Sequence, residues 1–523
     1  MNYLFFTPHY PSFCWSVLFG IILDQVEVIA QDEANQVTLV YCDSCKIMGK
    51  CFHKHTNPGL VCSLCNIHQK YLFKKLAPNI QVIALSKLAK GRNTEAVPSF
   101  NYNSVKEIKQ LNYKNVDIGY AAFSTYLSHG ARNLNPLIDD SFKNFFNQFL
   151  ERCSIYANIL DSVLEEKSPD HVYLFNSRLI DSKPIVDLCK DKKIPFTSLE
   201  YRVNLENQPR KTSFENTTPH DIDNLTLLIN KQWDTSTLPL EEKIQVAATF
   251  YSNRRNAIAA GDKVYVKDQQ VGLLPEQWDE HKHNIVIFNS SEDEFASVGK
   301  LYESKLLFPT QLDGLKTVFE SFKDRPEIHF YLRIHPNLKN VKYLFHKILY
   351  EFDKQYPNLT VIPASSPIST YSLIDAANKV IVFGSTTGVE SVYWGKPTIL
   401  LSNSGYMYLD TCHVPNNIEE AKDLISNFNL PAKDKLGALK LAYYLLNSDS
   451  GNFNFFKVTS RVYHIFGRPV RIQSFKIKGS KFSKYRTSLS QFMCKLVYDF
   501  IPNVIIPDKE DERVYEKYRT ESV

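Results

Sequence analysis

A chain of 523 residues with 44% hydrophobic, 13% aromatic and 22% charged residues carries enough apolar material for two or three cores. That composition excludes a disordered or fibrous protein. The 61 Lys and Arg exceed the 56 Asp and Glu by only five, too little for a surface that coats nucleic acid, so no nucleic-acid partner is expected and any basic site must be local.

The chain opens MNYLFFTPHYPSFCWSVLFGIILDQ. It lacks a cationic start, and Pro8, Pro11 and Asp24 interrupt the apolar residues, so the pattern predicts a strand followed by a helix rather than a secretory leader. Nowhere does an apolar run approach the roughly 20 residues of a membrane-spanning helix. A cytoplasmic location is expected. Short β-branched and aromatic runs then alternate with longer helical patterns: Tyr3 to Thr7, Gln36 to Tyr41, Ile80 to Leu85, His171 to Phe175 and Pro195 to Leu199. After a polar stretch, 204–223, and a helical bridge, the rhythm restarts at Asn284 to Asn289, Ile328 to Ile334, Leu359 to Ile362, Lys379 to Phe383 and Pro397 to Leu401. Strands alternating with helices imply parallel sheets with helical crossovers, here two α/β domains in tandem. The Gly, Pro and charge of QQVGLLPEQWDEHKHN place the boundary near 265–282. The expected division is a first domain over 1–265, a second over 280–440 and a helical basic extension over 441–523.

Five of the ten cysteines crowd behind the second strand, Cys42, Cys45, Cys51, Cys62 and Cys65, with His53, His55 and His68 nearby. Two C-x-x-C pairs flanking a Gly- and Pro-containing loop suit a tetrahedral metal, each pair offering two thiolates from one turn. Structural zinc is the expectation for this insertion, 42–68, with an iron–sulfur cluster or unligated thiols as alternatives. Four thiolates would leave no open position for water, so the metal would be structural. The fifth cysteine is surplus.

In an α/β domain of this kind, ligands bind beyond the carboxyl ends of the strands, so the residues directly after each apolar run are informative. Four such junctions stand out in the second half: Asn289 to Glu294, with Ser290 and Ser291; Arg333, His335 and Pro336; Ser365, Ser366, Ser369 and Tyr371; and Gly384, Ser385, Thr386, Thr387, Gly388 and Glu390. A Gly-Ser-Thr-Thr-Gly loop permits close backbone approach, and the N–H groups opening the next helix suit a phosphate. Arg333 and His335 would bring donors and positive charge to the same edge, and Glu390 could accept from a ribose diol. Each junction alone reads equally well as a helix cap. Their coincidence on one predicted edge points to a nucleotide. No Walker loop and no G-x-G-x-x-G in a strand–turn–helix context is present, which disfavours P-loop NTPases and dinucleotide oxidoreductases.

R-I-H-P at Arg333 to Pro336, followed by G-S-T-T-G-V-E-S-V-Y-W-G-K-P-T-I-L from Gly384 to Leu400, resembles the nucleotide-sugar domain of GT-B glycosyltransferases, nearest to bacterial capsule and surface-polysaccharide biosynthesis proteins. F-N-S-R at Phe175 to Arg178, Glu200, and N-S-S-E-D-E-F at Asn289 to Phe295 are similar to segments of the same group. The resemblance implies two Rossmann-like domains facing a cleft. Ser385, Thr386, Thr387 and Gly388 would hold donor phosphates, Glu390 the ribose and Arg333 with His335 the leaving-group charge, with Ser290 and Ser291 lining the cleft. Asn176 and Arg178 would lie on the acceptor side, where Ser177 replaces the Gly usual in that group. Donor phosphate stabilised by preorganised donors needs no metal. A catalytic base, should the anomeric centre invert, is expected from the first domain, with Asp117 and Glu200 as candidates and Asp43 a third. The reaction implied is transfer of a sugar from a nucleotide-activated donor to a surface glycan, free or lipid-linked. A polyol-phosphate transferase resembling teichoic-acid glycerophosphotransferases is the alternative, and a non-catalytic zinc-dependent scaffold the third reading.

Arg468 to Arg486 holds seven Lys or Arg and no acid, interleaved with Phe475, Ile477, Phe482 and Tyr485. This stretch is expected to lie on an anionic inner-membrane surface, to form a solvated helix crossing back to the first domain, or both.

Overall fold

The computed structural model describes residues 1–7, 17–43, 58–74, 76–91, 96–128, 132–203, 209–258, 266, 268–447, 453–465, 468–477 and 506–518. The β-branched runs form two sheets. In the first, β1 (Asn2–Phe6), β2 (Gln36–Tyr41), β3 (Ile80–Ala84), β4 (His171–Phe175) and β5 (Phe196–Val203) are parallel, and β6 (Pro209–Glu215) closes the edge antiparallel to β5. In the second, β7 (His283–Phe288), β8 (Ile328–Arg333), β9 (Leu359–Ile362), β10 (Lys379–Val382) and β11 (Thr398–Leu400) are all parallel. Their orders are β3-β2-β1-β4-β5-β6 and β11-β10-β7-β8-β9. Each begins at its centre, runs outward to one edge and then crosses to the other, the doubly wound Rossmann order. In the second sheet the reversal falls between β7 and β10, and a crevice is expected beyond their carboxyl ends.

The second sheet is buried on two faces, so its strands read as continuous apolar runs: β7 is buried from Asn284 to Phe288, and β8 and β10 throughout. One cluster of buried side chains contains residues of both sheets, among them Leu4, Val172, Ile287 and Phe330, so the two halves share a continuous apolar contact. A second covers the other face of the second sheet. It includes Leu225, Ile229 and Trp233 from the helix Ile222–Thr235 and Ala247, Phe250 and Tyr251 from the helix Leu240–Arg255, packed with Val286, Tyr331 and Val382. These helices precede the boundary suggested near 265–282, yet their apolar stripes belong to the second core, together with the helix Leu436–Asn447.

The expected helical extension takes another form. Phe456–Ile465 and Arg468–Ile477, β12 and β13, pair antiparallel in register from Phe456 opposite Ile477 to Ile465 opposite Arg468. The physical reason is the β-branched, period-two pattern of Val458, Val462, Val470 and Ile472, which favours strands and which the run of charges obscured. The hairpin lies against the first helix, Val17–Ala30. Asp24 anchors its approach: fully buried, it pairs with Lys211 Nζ at 2.9 Å and accepts the N–H groups of Asn454 and Phe455. The rest of the basic stretch, from residue 478, lies outside the described residues. Residues 506–518 close with a 3₁₀ helix, Glu512–Tyr518.

Candidate active site

At the reversal of the second sheet, the carboxyl ends of β7, β8 and β10 open into a cleft of about 220 Å³. Its lining includes Asn289, Ser290 and Ser291 after β7, Arg333, His335 and Pro336 after β8, Tyr371, and Gly384, Ser385, Thr386, Thr387 and Glu390 after β10, joined by Arg254. The junctions after β7, β8 and β10 therefore meet in one place, whereas of the group after β9 only Tyr371 lines the cleft, and Ser369 instead caps the helix Thr370–Ala376.

Arg333 is 2% exposed. Its Nη1 donates to the Pro363 carbonyl and its Nη2 to the Ser366 carbonyl at 3.0 Å, while Nε has no acceptor. No carboxylate stands within ion-pair distance among the described residues, and burial pushes its pKa down to about 10. A buried cation compensated only by dipoles is costly, and an anion entering the cleft would relieve that cost. His335 accepts the Asn337 N–H at Nδ1 (3.2 Å), which puts the neutral ring's proton on Nε2 as a donor. Its own N–H bonds to Asn289 Oδ1 at 2.8 Å, tying the β8 turn to the end of β7.

The loop after β10 is held by its own groups. Gly384 has φ +76°, and a Cβ there would lie 2.7 Å from the Asn403 carbonyl oxygen, so only glycine fits. The Ser385 carbonyl accepts from Tyr406 and from the Gly388 N–H, and Ser385 Oγ lies 2.9 Å from Thr387 Oγ1. Gly388 serves packing: a Cβ there would meet Tyr406 Oη at 2.5 Å and Val382 Cγ2 at 2.7 Å. Glu390, buried in the helix Thr387–Tyr393, receives Arg254 Nε at 3.0 Å and Nη2 at 2.9 Å on one oxygen and Tyr371 Oη on the other. Burial and then the Glu390 charge push the Tyr371 hydroxyl far above its ordinary range. Arg254 also reaches Thr386 Oγ1 at 3.3 Å. Both oxygens of the carboxylate read as a ribose acceptor thus already have protein donors, and its partner Arg254 carried no motif. A basic doublet at a helix end looks like an ordinary complement to the helix dipole.

Ser290 and Ser291 face different partners. Ser290 Oγ accepts from Gln311 Nε2 at 3.0 Å. Ser291 Oγ accepts from Asn337 Nδ2 and from Arg132 Nη2 of the first domain, both at 3.0 Å. Arg132 also forks onto Asp293 at 2.6 and 3.1 Å, a bidentate clamp between the domains that sequence reading missed.

Of the first-domain candidates, Arg178 donates Nη1 to the Glu294 carbonyl at 2.5 Å across the interface. Asn176, at φ +62°, accepts the N–H groups of Ser177 and Arg178 on Oδ1 and donates Nδ2 to Glu200 at 2.9 Å. The side-chain amide thus organises the turn in which Ser177 replaces glycine. Asp117 lies outside this cleft, in a neighbouring interdomain pocket with Lys183 and Lys300. Burial acts against its charge, but Lys300 Nζ at 2.7 Å and Lys183 Nζ at 3.7 Å outweigh it and hold the carboxyl below its ordinary range. Two ammonium partners make Asp117 a weak proton acceptor. Asp43 accepts both the N–H and the hydroxyl of Ser86, a local tie.

Of the cysteine cluster, Cys45 and Cys51 lie outside the described residues. Cys62 and Cys65 fall in a helix, Pro58–Phe73, rather than in a turn. Gln69 Nε2 donates to Cys65 Sγ and to the Cys42 carbonyl, each at 3.2 Å. Among the described residues no three metal-ligating side chains gather, so the zinc and iron–sulfur expectations draw no support from them. No described helix is long and apolar enough to cross a membrane.

No protein-family model matches the chain, and no curated protein matches it. Solved structures to which it is similar include a KpsC β-Kdo 2,4-transferase of Thermosulfurimonas dismutans, at 12% identity over 58% of this chain and 85% of that one, TM-score 0.34. The sucrose-phosphate synthase of Thermosynechococcus elongatus is 9% identical over 86% and 95%, TM-score 0.28. The UDP-GlcNAc 2-epimerase of Neisseria meningitidis bound to UDP-GlcNAc is 14% identical over 85% and 99%, TM-score 0.20. The fold assignment rests on the strand orders.

Proposed function

We propose that the protein is a GT-B glycosyltransferase that moves a sugar from a nucleotide-activated donor to a surface-polysaccharide acceptor, free or lipid-linked. The observation that carries this reading is Arg333: a buried guanidinium without a carboxylate, facing the cleft at the sheet's reversal, beside the Gly384 to Thr387 loop and His335. Such a group suits the phosphate of a nucleotide leaving group. Departing phosphate gains charge as the bond to the anomeric carbon lengthens, and donors already in place stabilise that charge without reorganisation. His335, with its proton on Nε2, is the second donor at this edge.

A thermal-shift panel of UDP, CDP, GDP and CMP tests the reading, because a ligand that binds only the folded state raises the midpoint. One nucleotide is expected to stabilise selectively. Arg333→Gln is expected to weaken its binding by about 10- to 100-fold, the loss of a charge-assisted hydrogen bond. No shift with any nucleotide, or full binding by Arg333→Gln, would refute the proposal.

A further inference from the structure

Behind the donor cleft, sharing Ser290, Phe295 and Gly384 with it, lies a second cavity of about 160 Å³ between the two domains. Phe123 of the first domain and Tyr302, Phe308 and Phe383 of the second supply aromatic walls. A dry cavity of about 150 Å³ admits one benzene ring, so the space suits one six-membered ring. It is not dry in character. Asn403, 3% exposed, has its Oδ1 without a donor while its Nδ2 holds the Tyr302 carbonyl at 2.5 Å. Glu292 lines the same wall, with one carboxylate oxygen accepting the Gln311 N–H at 3.1 Å. Aromatic walls with an orphaned acceptor and a carboxylate match a ring with an apolar face and hydroxyl edges.

We propose that this cavity binds the acceptor sugar ring and that Glu292 takes the proton of the attacking hydroxyl. This rests on the transferase reading. In the step, the hydroxyl oxygen bonds to the donor's anomeric carbon and its proton passes to Glu292. The carbon–oxygen bond to the nucleotide phosphate breaks, and its electron pair leaves on the phosphate. Burial pushes the Glu292 carboxyl up to about 7; Asp313 and Asp293 add to the rise, and the Gln311 N–H and Lys109 oppose it. The Tyr515 and Tyr518 hydroxyls, bonded to Asn135 and Asp313, lie within reach of its charge, and Lys109 is itself paired with Glu303 at 2.7 Å, which tempers its effect. A base poised near neutrality suits the task better than Asp117, held low by two lysines.

Saturation-transfer NMR on the full chain tests the site with methyl glycosides of glucose, galactose, mannose and N-acetylglucosamine, and with cyclohexanol as an apolar control. At least one glycoside is expected to give a signal that Ala296→Phe, or Leu306→Trp from the opposite wall, removes while nucleotide stabilisation persists. No glycoside signal, binding of cyclohexanol alone, or displacement of the glycoside by the nucleotide-sugar would overturn the assignment. Glu292→Gln keeps an acceptor for the Gln311 N–H, so the fold and both binding signals should survive. Nucleotide release in the presence of glycoside should fall at least 100-fold. Wild-type rate should rise with pH through about 7 as Glu292 loses its proton, and the variant should lose that rise. An unchanged rate or an inflection that persists in Glu292→Gln would refute the base. Should no nucleotide bind, the donor reading fails by itself, while the glycoside signals still decide the cavity.

Discussion

Two arginines of one cleft behave oppositely because of what surrounds them. Arg254 is compensated by Glu390 and Arg333 by carbonyls alone. Removing one partner of a buried ion pair strands the other, at about 3–5 kcal/mol. Glu390→Ala should therefore lower the melting midpoint of the nucleotide-free protein by several degrees, and lost nucleotide binding in that variant alone would not identify a ribose contact. Replacing both partners, Glu390→Gln with Arg254→Met, should recover much of the loss, which a double-mutant cycle on melting midpoints reads directly. Additive losses would show that the pair is not coupled. The sequence displayed Glu390 and Arg333 at strand ends, but which of them was already neutralised depended on Arg254, 136 residues from Glu390.

At the scale of elements, the helix Thr387–Tyr393 approaches β10 as closely as it does because Gly388 has no side chain. A methyl there would press on Val382 and on Tyr406, whose hydroxyl also holds the Ser385 carbonyl. Gly388→Ala should cost about 1–3 kcal/mol by overpacking and shift the loop after β10, and on the proposed function it should weaken nucleotide binding along with stability. A variant of unchanged midpoint and affinity would show that the helix moves freely. This glycine was legible as belonging to the loop, though its role is packing rather than close approach of a ligand. The ten parallel strands were legible from β-branched runs bounded by polar turns, which follow from local sterics, but β6, Pro209–Glu215, lies in the stretch read as polar and was missed, and β5 runs on to Val203. What stayed hidden were pairings that only tertiary structure creates. The helix Leu240–Arg255 carries an apolar stripe that fits any core, and nothing local assigns it to the second sheet. The β12–β13 hairpin was masked by its charges, and Arg132 meets Asp293 across 161 residues.

Across the whole molecule, the two sheets are joined by more than a linker. Arg132 to Asp293, Lys109 to Glu303 and Lys300 to Asp117 bridge the domains, and the C-terminal strap 506–518 binds both. On the first domain, Asn133 Nδ2 reaches the Asp508 and Lys509 carbonyls, Leu137 donates to Lys509, and Tyr126 Oη donates to the Pro507 carbonyl at 2.9 Å. On the second, Glu510 accepts the Leu344 N–H, and Lys517 and Tyr518 hold Asp313 at 2.5 and 2.8 Å. Tyr515 and Tyr518, 1% and 3% exposed, extend the shared apolar cluster. Partly exposed ion pairs contribute little each, so the buried tyrosines and backbone ties should dominate the coupling. The full chain is then expected to melt in one cooperative transition. Ending the chain after residue 505 should lower the midpoint and separate two transitions in calorimetry. Tyr515→Ala should lower the midpoint in the same direction, costing about 3–5 kcal/mol as for other large aromatic truncations. A truncated chain with one unchanged transition would mean that the strap only decorates the interface and that the apolar contact alone fixes the cleft.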